Sequence, residues 1–188
     1  LSYVAVALLA LTHGEGLLAV ARIFVIHTLP HALLAPIAGG LADRFDRRRV
    51  LLTANVAMGG ATIGMAVAAW AGSLFLVQVL LALRVLLSVV LQPAQSAAIT
   101  RVVPADELGA ANTLHATVWG LTFTLGTAAS GFLTAWTGPA VALAVDAVTF
   151  FVAATILRAL PAMRPEAGAP PLRHAVSGLI EAVGMARR

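Results

Sequence analysis

Arg84 and Ser88 stand four residues apart in one apolar run, and Gln92 and Gln95 flank the continuation of the same side. On a helix they form a polar stripe. An ionised side chain at mid-membrane costs about 2.5–3.5 kcal/mol on insertion scales, so it faces protein or a water-filled cavity. Such a stripe either lines a solute path, with the guanidinium stabilising anionic or proton-carrying groups, or holds a structural arginine satisfied by carbonyls of neighbouring helices. In another run Asn112, His115, Trp119, Thr122 and Gly126 share one broad helical face. They offer hydrogen bonds and an aromatic surface, or else ordinary interhelical packing. Arg22 and Asp146 are the other charges inside apolar runs, at similar depth, and they form a candidate ion pair, structural or proton-relaying. His27 and His31 are one turn apart, but two imidazoles without a nearby carboxylate make a weak metal site. No metal is expected there, and packing or partial exposure to a cavity suits the pair better.

Several chemistries are excluded at once. The chain has twelve basic residues, all of them Arg, so a phosphate loop of the Walker kind has no lysine. Absence of Cys removes thiolate metal sites and cysteine nucleophiles. No Ser, His and carboxylate set gathers at one membrane face. The expectation is a protein without catalytic residues or a cofactor, and not an enzyme.

The elements that position these residues follow from composition. Of 188 residues 60% are hydrophobic and only 11% charged, and a mean hydropathy of +0.95 lies well outside soluble averages. Crossing about 30 Å of hydrocarbon takes roughly 20 apolar residues per helix. Five runs meet this, at about 17–41, 50–70, 74–99, 108–135 and 140–158. Barrel strands would be shorter and alternating. Residues 1–12 are too short to span and read as the end of a first helix, in a piece of a longer chain that begins inside an apolar stretch. Pro30 and Pro36 predict a bend in the second run. Pro161, Pro165, Pro170 and Pro171 mark a linker over 160–171. Beyond it, Leu172, Val176, Leu179, Ile180 and Val183 recur at helical spacing, which predicts an amphipathic interfacial helix over 172–188.

A sequence pI of 11.3 could suggest nucleic acid, but placement of the arginines argues for a membrane and against that partner. Arg44, Arg47, Arg48, Arg49, Arg101, Arg158 and Arg164 fall in turns on one side, whereas the turns at 13–16, 71–73 and 136–139 hold none. The positive-inside bias puts the arginine side, with the 39–49 loop and the linker, in the cytoplasm of a multi-pass plasma-membrane protein.

The charged turn from Gly39 to Arg49 resembles the signature loop between the second and third helices of the major facilitator superfamily, Gly-x-Leu-Ala-Asp-Arg-x-Gly-Arg-Arg. Gly39, Leu41, Ala42, Asp43, Arg44, Arg47 and Arg48 occupy the expected places, and Asp46 stands where Gly is usual. Its Asp-Arg-Phe-Asp-Arg-Arg form is similar to the bacterial exporter branch that includes enterobactin and macrolide efflux proteins. Gln92-Pro93-Ala94-Gln95-Ser96-Ala97, Val103-Pro104 before an acidic pair, Ala111-Asn112, and Asp146-Ala147 with Phe150 agree with that branch.

The resemblance implies an all-α integral membrane bundle: the amino-terminal six-helix half of a twelve-helix transporter, built as a 3+3 inverted repeat with its first helix truncated. It implies a cytoplasmic conformational latch at Gly39, Asp43, Arg44, Arg47 and Arg48, with partners in the lipid bilayer and in a second six-helix half. The implied activity is secondary transport of a small amphipathic solute, as proton-coupled export; Arg84, Ser88, Gln92, Asn112, His115 and Trp119 are the candidate path residues. Two departures keep uptake and facilitated transport open: Gly126 to Gly131 lacks the Pro and one Gly of the antiporter motif Gly-Pro-x-x-Gly-Gly, and Ser88 replaces the usual Gly. A non-transporting half-domain that associates with a partner is the remaining alternative.

Overall fold

The computed structural model describes residues 2–12, 16–42 and 45–161. Asp43, Arg44 and the 172–188 helix lie outside the described residues, as does nearly all of the 160–171 linker. The described chain forms α1 Ser2–Thr12, α2 Gly16–Ala42, α3 Arg47–Trp70, α4 Leu74–Ser88, α5 Leu91–Val102, α6 Leu108–Thr137 and α7 Pro139–Leu157. It is an all-α bundle. α3, the combined α4 and α5, and α7 are long and apolar enough to cross a bilayer. α2 stays helical through Pro30 and Pro36. α6 reaches about 45 Å at 1.5 Å per residue.

The fourth run was expected as one helix, and the structure divides it at Val89 and Val90. Pro93 explains the break, since it has no N–H to give the Val89 carbonyl and its ring crowds that oxygen. The Val89 amide turns instead to Leu86 O at 3.4 Å, and the helix resumes with Ala94 N on Val90 O at 3.3 Å. Because Val89 and Val90 keep right-handed helical dihedrals, Leu74–Thr100 remains a single crossing with a soft point inside it.

The two uncharged turns close as their residues dictate. Gly72 has φ 73° and Gly138 φ 84°, a region L side chains rarely enter. Gly138 ends α6 and Pro139 opens α7, the pairing expected where one helix stops and the next starts.

Packing is closest between α3 and α7. A Cβ on Gly59 would stand 2.9 Å from Phe151 Cζ and 3.3 Å from Phe150 Cβ, and one on Gly64 would meet Leu80 of α4 at 3.1 Å. Small residues let membrane helices approach in this way. The main core joins Val6 and Leu9 of α1, Ile23 of α2, Met65 of α3, Val77, Leu81 and Val85 of α4, and Leu143 of α7. Outward positions such as Val56, Ile63, Val67, Val79, Leu83, Val148 and Val152 are apolar and exposed, which suits a lipid surround.

The arginine-bearing end is built on α3. Asp46 caps it by accepting from Arg49 N at 3.2 Å, so the residue that departs from the signature pattern starts a helix. Arg47 is buried at 2% exposure. Arg48 donates from Nη2 to the Arg158 carbonyl, placing a cation on the carbonyl end of α7.

Candidate functional site

Asp146 on α7 is buried, at 5% exposure, and receives a hydrogen bond from the Ser2 hydroxyl of α1. Arg84 of α4 lies 3.5 Å from the same carboxylate oxygen, with its guanidinium 5.6 Å from the centroid of the Phe150 ring. Asp146 thus pairs with Arg84; Arg22, its candidate partner from the sequence, is an exposed residue of α2. Side-chain direction explains the reach of Arg84. Helical side chains lean toward their own N-terminus, and α4 starts at the Gly72 turn. The long Arg84 side chain thus rises from its deeper backbone position toward the depth of Asp146. Depth estimated from backbone rise alone misses this reach.

A second polar chain runs along α2. The His27 ring lies 5.5 Å from Tyr3 of α1 and 5.9 Å from His31, centroid to centroid. His31 Nδ1 is 3.1 Å from the His27 carbonyl, and its Nε2 is 3.2 Å from Ser88 Oγ. Ser88 in turn donates to Val85 O at 2.7 Å. Among the described residues no third carboxylate, His or Cys joins the two imidazoles as a metal set.

These residues wall two adjoining cavities. One, of about 450 Å³, lies between α1, α2 and α6 and is lined by Tyr3, Phe24, His27, Trp119, Thr122 and Phe123, among others. The other, of about 530 Å³, is lined by His27, His31, Ser88, Gln92, Gln95 and Trp119, with α2 and α5 supplying the rest. His27 and Trp119 border both. The Trp119 and Phe123 rings stack at 5.4 Å and 13°, giving a flat aromatic surface opposite the polar chain.

Of the residues singled out in the sequence, Ser88, Gln92 and Trp119 share a cavity wall. Arg84 sits deeper, tied to Asp146. Asn112 and His115 are on the exposed part of α6, outside both walls. Gly39 lies within α2, and Arg47 and Arg48 within the first turn of α3. Tyr3, Phe24 and Ser2 were not anticipated, since a lone Tyr, Phe or Ser in an apolar run carries no spacing signal.

A family model described as Major Facilitator Superfamily matches residues 1–188. No curated protein and no solved structure gives a significant match.

Proposed function

This chain belongs to the major facilitator superfamily, and we propose that within this family of small-molecule membrane transporters it serves as an exporter of amphipathic solutes coupled to protons. One observation carries the reading: inside a bundle with an apolar exterior, the two adjoining cavities set an aromatic wall, Phe24, Trp119 and Phe123, against a polar one, His27, His31, Ser88, Gln92 and Gln95. A solute with a flat apolar part and a hydrogen-bonding part matches both. Mostly apolar pockets with a few placed polar groups are the usual form of small-molecule sites.

In this reading Ser88, Gln92 and Trp119 contact solute, and Arg84, one turn nearer the start of α4 than Ser88, holds Asp146 in place. Asn112 and His115 belong to the face of α6 that a second six-helix half would cover. Gly39, Asp43, Arg44, Arg47 and Arg48 form a latch on the cytoplasmic side, whose contacts hold in one access state and break in the other. Similarity of the charged loop to the enterobactin and macrolide exporter branch supports export over uptake.

The test is flux through the full-length protein in sealed vesicles under an imposed pH gradient, read with neutral, cationic and anionic fluorescent amphipathic dyes. Gradient-driven accumulation of at least one dye, abolished by a protonophore, is expected; flux indifferent to the gradient would overturn proton coupling. Sidedness is tested by labelling Phe45→Cys and Ala71→Cys in intact cells. Labelling of the first from outside, with the second protected, would invert the topology.

A further inference from the structure

We propose that His31 is a proton-binding site whose charge state sets the hydrogen bonding of the α4/α5 break through Ser88. This rests on the transport reading only for its use, since the proton accounting is local. His31 Nδ1 faces the His27 carbonyl at 3.1 Å. A carbonyl oxygen only accepts, so this nitrogen carries a proton. On the other side Nε2 is 3.2 Å from Ser88 Oγ, and that hydroxyl is 2.7 Å from Val85 O.

Ser88 has one proton to give. If it goes to Val85 O, the contact with His31 is a hydrogen bond only when Nε2 also bears a proton, which makes the ring an imidazolium. If the ring is neutral, Nε2 accepts, the Ser88 proton turns to it, and Val85 O loses its donor. All three contacts are satisfied together in the charged state alone.

The carbonyl at stake lies at the soft point of the crossing. The Val89 amide, which a regular helix would send to Val85 O, bonds Leu86 O instead. The Ser88 hydroxyl takes its place. Protonation of His31 thus lets Ser88 hold the last turn of α4 closed while it stays tied to α2; deprotonation releases the Val85 carbonyl, whose regular partner, the Val89 amide, is engaged with Leu86 O.

The charged and titratable groups around His31 come from four helices. α2 contributes His27, α4 contributes Arg84 one turn above Ser88, α7 contributes Asp146 already paired with Arg84, and α1 contributes Tyr3 against His27. From α5 and α6 the described cavity wall presents Gln92, Gln95 and Trp119, none of which titrates. The cavity provides the path by which a proton reaches the ring.

The experiment measures the distance between spin labels at Thr53→Cys on α3 and Thr100→Cys at the end of α5, in the full-length protein in lipid nanodiscs, from pH 5 to 9. The protein is expected to show a one-proton transition in the distance distribution, lost in His31→Gln and in Ser88→Ala and kept in His27→Gln. Selective ¹⁵N labelling of histidine, with His31→Gln used for assignment, is expected to show the His31 imidazole changing from charged to neutral over the same range. No transition in the wild type, or one unchanged in His31→Gln, would overturn the proposal. Because no solute is needed, a failed dye flux with an intact transition counts against the transport reading and leaves this site standing.

Discussion

The Arg84 guanidinium stands 3.5 Å from the Asp146 carboxylate, with the Ser2 hydroxyl on the same oxygen, so that α1, α4 and α7 meet at one buried charge pair. Removing one partner leaves the other ionised in a poorly solvated place, which costs about 3–5 kcal/mol in buried pairs, whereas removing both is far milder. Asp146→Asn and Arg84→Met are each expected to lower the thermal unfolding midpoint of the purified protein clearly. Arg84→Met with Asp146→Leu is expected to recover most of that loss; a double variant as unstable as the singles would refute the pairing.

Gly59 and Gly60 are adjacent yet should respond oppositely. A Cβ at Gly59 meets Phe151 and Phe150 of α7, while at Gly60 nothing lies within 4 Å. Gly59→Val is expected to destabilise by about 1–3 kcal/mol through overpacking. Gly60→Ala is expected to be neutral or to stabilise by up to about 1 kcal/mol from helix propensity. Parallel denaturation curves decide, and equal effects at the two positions would mean that α3 does not face α7 in this register.

At the start of α3, Asp46 accepts from Arg49 N. Asp46→Ala should cost about 0.5–2 kcal/mol and Asp46→Gly only a few tenths, so restoring the family's usual glycine is expected to be nearly silent. Hydrogen exchange at Arg49, Val50 and Leu51 reports it: faster exchange in the Ala variant than in the Gly variant is the expected order.

For transport, Trp119 and His115 form a matched pair on one helix. Trp119 borders both cavities and stacks on Phe123, and aromatic pairs contribute about 0.5–1.5 kcal/mol beyond buried area. Trp119→Ala is expected to weaken dye flux at low concentration by about two- to tenfold, with His115→Ala near wild type. The reverse order would move the solute site along α6, toward the Arg101 end.

Much of the architecture was legible because membrane helices announce their ends. The uncharged turns sit at Gly72 and Gly138, and both glycines take the left-handed dihedrals that their position demands. Likewise Asp46, visible in the sequence as a departure from a pattern, proves to be a helix cap. The break at Val89 was readable in principle from Pro93, although prolines in membrane helices often leave the helix intact, as Pro30 does here.

What the sequence determined by itself was the solvent of the chain, the positions of its turns, the basic side and the family. Which face of each helix turns inward was decided by tertiary structure. In soluble helices an apolar stripe marks the buried face; here α7 is apolar around nearly all of its circumference, and packing and hydrogen bonds select the face instead. Asp146 therefore met Arg84, and His31 met Ser88 on one cavity wall, through rotations and side-chain reach that no single helix encodes.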